Sequence, residues 1–247
     1  MKKVLILGTN SYIGNSFQKY IGENYNDQYE VHKVSLRGEA WKEDDWSGYD
    51  SILNVTGKAH ADIGILTEEQ KQEYYVVNCD LACEAAQKAV KDGVGQYIYL
   101  SSVIVYGDSS NGGGAIHITK DTKPAPSNFY GDSKWQAEQK LQVLFEELKE
   151  DDGKNNTALA IVRPPMIYGK NSKGNFKMLV KLADKVPVFP NVKMSGACFM
   201  WRILRSFISF DRESEVRGIS AAECFLRDHG TDGSSDCYGK REKRTSV

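Results

Sequence analysis

The sequence predicts an α/β fold built on a doubly wound parallel sheet, with helices on both of its faces. Strand and helix patterns alternate along the chain, and alternation of this kind favours parallel strands joined by crossover helices. The strands are short continuous apolar runs, as expected of strands that are buried on both faces. The first of these runs, residues 4–7, leads directly into a glycine-containing turn and a helix.

The individual elements follow from the same patterns. Five apolar runs predict strands at residues 4–7, 29–36, 51–55, 96–100 and 158–162. Apolar residues at helical spacing predict helices at residues 13–21, 67–92 and 128–148. Thr67 is expected to cap the second helix, because its hydroxyl accepts from a free backbone N–H. Residues 107–126 and 151–156 are polar or rich in Gly, Ser and Pro, which indicates loops.

Composition limits the classes of partner. The chain has 32 basic and 33 acidic residues and a net charge of −1, so we expect neither a nucleic-acid nor a membrane partner. No apolar run approaches the roughly 18 residues that span a bilayer. The apolar start is too short for a signal peptide, and we interpret it as the first strand of a cytoplasmic protein. Neither the histidines nor the cysteines show metal-ligand spacing, so we expect no metal site and interpret Cys79 and Cys83 as buried thiols.

A glycine turn separates the first strand from the first helix. Its sequence is GTNSYIG, with Gly8 and Gly14 at the two ends. The pyrophosphate of a dinucleotide binds to backbone N–H groups at a helix N-terminus, and glycines permit the tight turn and the close helix–strand packing. Ser11 stands where such motifs have their middle glycine, which brings a β-carbon and a hydroxyl donor near the phosphate. The pattern is typical of a Rossmann-type nucleotide-binding unit.

Two further motifs carry groups that take part in proton transfer. Tyr130 and Lys134 form a Tyr-x-x-x-Lys pair at the start of a helix, where residues four apart share one face. A nearby ammonium favours the phenolate, and a phenol with a pKa of about 10 needs that help to act as a base. Ser101 and Ser102 follow the fourth strand directly, at the end of the sheet where open α/β folds bind their ligands.

In this order and spacing, the three motifs resemble the extended short-chain dehydrogenase/reductase family, the NAD-dependent sugar-nucleotide epimerases and dehydratases. Three more segments agree with the resemblance: the stretch around Asn78, the sequence RPPMIYG at residues 163–169 and Gly174-Asn175-Phe176. The last is similar to the start of the substrate-binding helix in enzymes that act on UDP-N-acetylhexosamines. The resemblance covers residues 1–193.

The resemblance implies an activity and the catalytic residues for it. Tyr130 would be the acid/base for a sugar hydroxyl, Ser102 would hydrogen-bond the same oxygen, and Lys134 would lower the pKa of Tyr130 and bind the nicotinamide ribose. The reaction would pass through a 4-keto sugar, as in a 4-epimerase, a dehydratase or a reductase. The substrate would be a UDP-hexose or a UDP-N-acetylhexosamine, bound by Ser102 and Asn175.

The resemblance also implies NAD or NADP as cofactor. NAD-specific members carry an acidic residue at the end of the second strand, where this sequence has Ser35 followed by Arg37. A hydroxyl and a guanidinium suit a 2′-phosphate and favour NADP, whereas NAD remains the alternative if Arg37 is only a solvated loop residue. The residues expected to bind the cofactor are Gly8, Asn10, Ser11, Tyr12, Ile13, Gly14, Ser35, Arg37, Thr56, Asn78, Tyr130, Lys134 and Pro164.

The chain divides into three parts. We predict a cofactor-binding domain with the catalytic residues at 1–169, the start of a substrate lobe at 170–193, and an irregular tail at 194–247. Back-translation with one added A before the Met194 codon turns the following residues into NERSMLYVENLA, which resembles the family. We therefore predict an out-of-frame tail and an incomplete C-terminal substrate lobe. The alternative is a divergent C-terminal lobe.

The sequence leaves two other functions open, and the resemblance implies an oligomeric state. The chain would be a catalytically inactive remnant if the lobe is lost, or a nucleotide-binding regulator on the same fold. Regulators of that kind usually lack the Tyr and Lys pair that this sequence has. The resemblance further implies a homodimer, formed through the helices at 67–92 and 128–148 in a four-helix arrangement.

Overall fold

The computed structural model describes residues 1–59, 66–107, 118–119, 121–150, 156–165 and 167. The predictions for the substrate lobe at 170–193, for Asn175 and for the tail at 194–247 lie outside the described residues.

A five-stranded parallel sheet forms the centre of the described part of the chain, which confirms the predicted fold class. Its strands, listed in chain order, are β1 Lys2–Leu7, β2 Tyr29–Val34, β3 Ser51–Asn54, β4 Gln96–Leu100 and β5 Ala158–Val162. Their order across the sheet is β2-β1-β3-β4-β5. Strand β2 ends earlier than predicted, at Val34, because Val34 pairs with Leu7, the last residue of β1.

In the described ranges four α-helices accompany the strands: α1 Tyr12–Asn24, α2 Glu68–Tyr75, α3 Leu81–Lys91 and α4 Phe129–Glu150. Thr67 caps α2 as predicted, since its hydroxyl accepts from Gln70 N at 3.3 Å. The single helix predicted at 67–92 is interrupted by a π-helical turn, Val76–Asp80, which separates α2 from α3. None of the helices in the described ranges is long and apolar enough to cross a membrane.

Helices cover both faces of the sheet, as a doubly wound fold requires. Leu5 and Leu7 of β1 point to one face, where α3 and α4 pack. Val4 and Ile6 point to the other face, where they meet Phe17 of α1. Helix α3 presents small side chains to the sheet and therefore lies close to it; these are Ala82, Ala85, Ala86 and Ala89.

The strand order creates a crevice at one edge of the sheet. From β1 the chain continues through α1 on one face of the sheet to β2, and from β3 it continues through α2 and α3 on the other face, so the connections that leave the neighbouring carboxyl ends of β1 and β3 run to opposite faces. Open α/β sheets bind their ligands at such a switch point. Gly8 follows β1 here, and Thr56 lies just beyond β3.

Gly14 offers a test of how closely α1 approaches the sheet. A β-carbon at Gly14 would lie 3.0 Å from Ile6 Cγ2 and 3.2 Å from Val55 Cγ2, whereas one at Gly22 of the same helix would meet no described atom within 4 Å. We expect Gly14→Ala to lower the free energy of unfolding by about 1–3 kcal/mol through overpacking. Gly22→Ala should raise it by about 0.5–1 kcal/mol through helix propensity. Urea unfolding of the full chain measures both, and equal effects of the two substitutions would contradict the close approach.

Candidate active site

The turn between β1 and α1 forms the floor of the crevice. Gly8 has a φ of +118°, a conformation that favours glycine, and its N–H donates to Val34 O at 2.8 Å. Ser11 is the N-cap of α1, and its Oγ accepts from Gly14 N at 3.3 Å. The serine at the expected glycine position therefore caps the helix and keeps its own proton free to donate. The first turn of α1 has no acidic side chain, which leaves its N-terminus suited to an anion.

Thr56 places an unpaired hydroxyl in the same crevice. Its Oγ1 is buried without a hydrogen-bond partner among the described residues, and it lies 3.3 Å from the point where a β-carbon on Gly8 would stand. The Thr56 backbone is fixed, because its N–H donates to Asn54 Oδ1 at 2.9 Å. A buried hydroxyl without a hydrogen bond is unfavourable unless a ligand or a water molecule forms one with it. The glycine turn, the helix N-terminus and this hydroxyl together fit a dinucleotide.

Asn78 connects the loop after β3 to helix α4. The π-helical turn directs its side chain inward, where it is fully buried. Its Oδ1 accepts from Lys58 N at 2.8 Å, and its Nδ2 donates to Lys58 O at 3.1 Å and to Ser133 Oγ at 2.9 Å. These bonds make Asn78 the link between Lys58, in the loop after β3, and Ser133 of α4. Its direct contact with a cofactor stays a prediction.

Ser102 and Tyr130 meet above the end of β4. Ser102 caps the 3₁₀ helix Val103–Tyr106, with Ile104 N donating to its Oγ at 3.3 Å. Helix α4 approaches this segment closely, since a β-carbon on Gly131 would lie 2.9 Å from Ile104 O. Burial raises the pKa of Tyr130, and a hydrogen bond with Ser102 acts in the opposite direction. The structure thus brings together the two hydroxyls that the sequence analysis assigned to the substrate oxygen.

Lys134 lies beneath Tyr130 on the same helix and is only 4% exposed. Its Nζ donates to Leu100 O at 3.0 Å and sits 4.7 Å from the centre of the Tyr99 ring. Burial lowers the pKa of Lys134 to about 8, while Glu138 acts to raise it. The ammonium faces β4 here, and the role of Lys134 in lowering the pKa of Tyr130 stays a prediction.

Gly57 allows the loop after β3 to press against this lysine. A β-carbon at Gly57 would lie 3.1 Å from Lys134 Nζ and 3.0 Å from Asn78 Oδ1. Only glycine fits at such distances without displacing one of the two polar groups. The sequence analysis did not single out Gly57, because a glycine just after a strand is also typical of an ordinary turn.

The sequence analysis also did not find a buried ion pair behind the candidate catalytic residues. Glu138 is fully buried, and Arg163 Nε donates to both of its carboxylate oxygens at 3.0 Å. Glu138 also accepts from the Ser101 hydroxyl, and Arg163 also donates to the Tyr106 hydroxyl. One signal was available in the sequence. Glu138 follows Lys134 by four residues and falls within a buried apolar stripe of α4, alongside Ala137, Leu141 and Phe145.

The remaining predicted residues also lie at the carboxyl edge of the sheet. Ser35 and Arg37 follow β2, and the Arg37 side chain is exposed. Pro164 follows β5 and is buried, with its carbonyl accepting from Val103 N at 3.1 Å. Asn10, Tyr12 and Ile13 belong to the glycine turn and the start of α1. Asn175 alone among the predicted site residues lies outside the described ranges.

Comparison with known proteins finds curated relatives, of which two are named as epimerases. The chain is 25% identical over 190 residues to N-acetyl-alpha-D-glucosaminyl-diphospho-ditrans,octacis-undecaprenol 4-epimerase of Escherichia coli O157:H7, a match that covers 72% of this chain and 53% of the relative. It is 32% identical over 137 residues to UDP-glucose 4-epimerase of Vibrio cholerae, covering 54% of this chain and 38% of the relative. The chain thus matches about half or less of the length of these relatives.

A solved structure shares the fold. The dTDP-4-dehydrorhamnose reductase of Bacillus anthracis, determined in complex with NADP, superimposes with a TM-score of 0.60 at 20% identity. The superposition covers 85% of this chain and 72% of the reductase. The family model described as RmlD substrate binding domain matches residues 1–189, which is most of the chain. The chain therefore belongs to the RmlD substrate binding domain family of the extended short-chain dehydrogenases/reductases, and the resemblance drawn from its sequence is confirmed.

Proposed function

We propose that this chain carries the cofactor-binding and catalytic part of an NAD(P)-dependent enzyme that acts on C4 of a nucleotide sugar. The observation that supports this most is the meeting of Tyr130 and Ser102 beside the buried Lys134, above a glycine turn with the unpaired Thr56 hydroxyl. A nucleotide-binding regulator would have no need of this proton-transfer group.

The residues of the crevice would hold the cofactor. The N-terminus of α1 would bind the pyrophosphate, and Gly8 and Gly14 would leave room for it. The Thr56 hydroxyl would form a hydrogen bond with a polar group of the ligand. Lys134 would take the nicotinamide ribose. When bound, the nicotinamide supplies hydride chemistry, and the protein supplies placement.

Tyr130 would move the proton of the substrate. Because burial raises its pKa, its phenol is neutral at rest and holds the proton at Oη. A neutral phenol is ready to donate to a carbonyl oxygen on C4, and the phenolate left behind is ready to take the proton of a C4 hydroxyl. Ser102 would bond the same oxygen and hold it in line with Tyr130.

The substrate class rests on the relatives and on the sequence. The two relatives described above are named as 4-epimerases of sugars carried on a diphosphate. This supports 4-keto chemistry on a UDP-hexose or UDP-N-acetylhexosamine, with Asn175 as a further substrate contact. Epimerisation is the net reaction that we favour, because reduction or dehydration uses the same two hydroxyls but is not the reaction named for either relative.

The end of β2 favours NADP over NAD. The first acidic residue after this strand, Glu39, is paired with Lys42 at 2.6 Å. Arg37 is exposed and makes no ion pair with any described residue, so its guanidinium is free to meet a phosphate. Ser35 is held beside it by the bond from the Arg37 backbone.

The second candidate is an inactive remnant, and the extent of the family match favours it. That match ends at residue 189, just before the point at 194 where the sequence ceases to resemble the family. If 194–247 is out-of-frame translation, the chain has intact proton-transfer residues and an incomplete substrate lobe. Such a chain would bind cofactor and turn over little substrate.

We also propose that the chain forms a homodimer through α2, α3 and α4. Val76, at the start of the π-helical turn that joins α2 to α3, is 48% exposed, and Val143 of α4 is 52% exposed. Apolar side chains this exposed on neighbouring helices support a contact with a second copy.

Arg37→Ala tests the cofactor type. We expect NADPH to bind about tenfold more weakly, because a charge-assisted bond to the 2′-phosphate is lost, and NADH affinity to be unchanged. Calorimetry on the full chain measures both coenzymes. Lys19→Ala is the control, since it removes one exposed positive charge from α1 and not from the segment after β2. An equal loss for NADH and NADPH would show that Arg37 does not read the phosphate.

Tyr130→Phe tests the acid/base in a frame-restored chain. Turnover should fall by about 10²–10⁴, because the group that moves the proton is gone, while coenzyme affinity is retained. Tyr75→Phe is the matched control, since it removes a phenol that bonds Asp132 outside the crevice. Undiminished turnover of the Tyr130 variant would rule out the assigned role.

Restoring the reading frame tests the remnant. Adding one A before the Met194 codon, with a second correction downstream, should yield an enzyme with measurable turnover where the present chain has little or none. The assay follows interconversion of UDP-sugar epimers by chromatography. Equal activity of the two chains, or an A-run of the same length in the genes of near relatives, would count against a frameshift.

A further inference from the structure

Glu138 is the most heavily bonded buried carboxylate in the described part of the chain. Its side chain is fully buried and accepts from Arg163 Nε, Arg163 Nη2 and the Ser101 hydroxyl. The Arg163 guanidinium also lies 5.1 Å from the centre of the Tyr106 ring and 5.8 Å from that of Trp135. Charge-assisted hydrogen bonds of this kind hold the carboxylate in one position.

These bonds join the elements that carry the candidate catalytic residues. Ser101 directly follows β4 and precedes Ser102, and its N–H donates to Val162 O of β5 at 2.8 Å. Arg163 follows β5, and Glu138 belongs to α4, the helix of Tyr130 and Lys134. The carboxylate therefore fixes the end of β4 against the helix whose phenol meets Ser102.

The negative charge of Glu138 also acts on Lys134. The two residues are one helical turn apart on the same face of α4, and Lys134 is itself almost fully buried. Burial disfavours the ammonium of Lys134, and the negative charge of Glu138 opposes this effect. Arg163 neutralises part of that charge, so it must act on Lys134 in the opposite sense.

We propose that Glu138 is a positioning residue for the reaction: it aligns Ser102 with Tyr130 and keeps Lys134 an ammonium, with Arg163 setting how much of its charge Lys134 experiences. The reference to a reaction rests on the proposed function. The electrostatic coupling of Glu138, Arg163 and Lys134 does not, and it is measurable without substrate or coenzyme.

Other titratable groups around Lys134 are accounted for as follows. Tyr99 lies beneath it and Tyr130 precedes it on α4, and burial raises the pKa of both phenols, so they remain neutral as Lys134 titrates. Tyr97 behaves in the same way. Cys79 has a pKa lowered to about 7 by a hydrogen bond from Cys83, and it is common to every variant that is compared.

The experiment measures the free energy of unfolding of the full chain between about pH 6 and pH 10.5, with and without Lys134→Met. The pKa of folded Lys134, about 8, lies below its unfolded value of about 10.4. Between these values the unfolded chain holds the proton and the folded chain does not. Stability relative to the Met variant therefore rises with pH through this window, and the pH at which the rise begins reports the folded pKa.

Glu138→Gln and Arg163→Met break the same ion pair but change the charge near Lys134 in opposite directions. We expect the onset to move down by about one pH unit in Glu138→Gln and to move up in Arg163→Met. Glu146→Gln, which removes an exposed carboxylate from the same helix, should leave it in place. Shifts of the same sign in both variants, or no shift in Glu138→Gln, would overturn the proposal.

Two additions keep the test decisive. Should Arg163→Met fail to fold, the double variant Glu138→Gln/Arg163→Met replaces the buried pair by neutral groups, and its onset must then lie above that of Glu138→Gln alone. NADPH affinity is measured across the same pH range, and its alkaline decline should begin at lower pH in Glu138→Gln. If the unfolding onset shifts as stated but no variant binds NADPH, the proposed function fails while the electrostatic coupling stands.

Discussion

The buried pair of Glu138 and Arg163 is the contact on which the arrangement of the crevice depends. It lies where β4, β5 and α4 meet, and breaking such a pair by removing one partner typically costs about 3–5 kcal/mol, because the other charge stays buried and unpaired. The helix face that carries Glu138 also carries Lys134 one turn earlier. The end of the sheet and the candidate proton-transfer residues are therefore constrained by the same turns of α4.

Small residues and one irregular turn adapt the rest of the site to this helix. Gly131 lets α4 contact the segment after Ser102, and Gly57 lets the loop after β3 reach Lys134. The π-helical turn at Val76–Asp80 inserts an extra residue into the helix, which changes the direction of the side chains that follow it. Asn78 is thereby turned inward and connects the loop after β3 to Ser133 on α4.

Much of this could be predicted from local pattern. The five strands are apolar runs buried on both faces, and the glycine turn and the Tyr130–Lys134 pair are recognised by their spacing. The π-helical turn was missed because the residues on each side of it keep helical spacing, so 67–92 was interpreted as one uninterrupted helix. Glu138 was missed because a carboxylate in a helix is usually solvated, and its partner Arg163 is remote in the sequence. The early end of β2 depends on where its partner strand β1 ends, which the apolar pattern of β2 does not show.

The electrostatics of Lys134 and Tyr130 have a consequence for the direction of proton transfer. Burial holds Tyr130 as a neutral phenol, so the resting state is prepared to donate a proton and not to accept one. Returning the proton requires a phenolate that persists long enough to react, and in a buried site this needs a nearby positive charge. In the proposed mechanism Lys134 would supply that charge while it stays protonated, and burial lowers its pKa to about 8, so it begins to lose its proton just above neutral pH. An epimerase must run both proton transfers in each cycle, whereas a reductase needs only the donation, so the carboxylate that helps Lys134 to remain charged matters more to the first kind of enzyme than to the second.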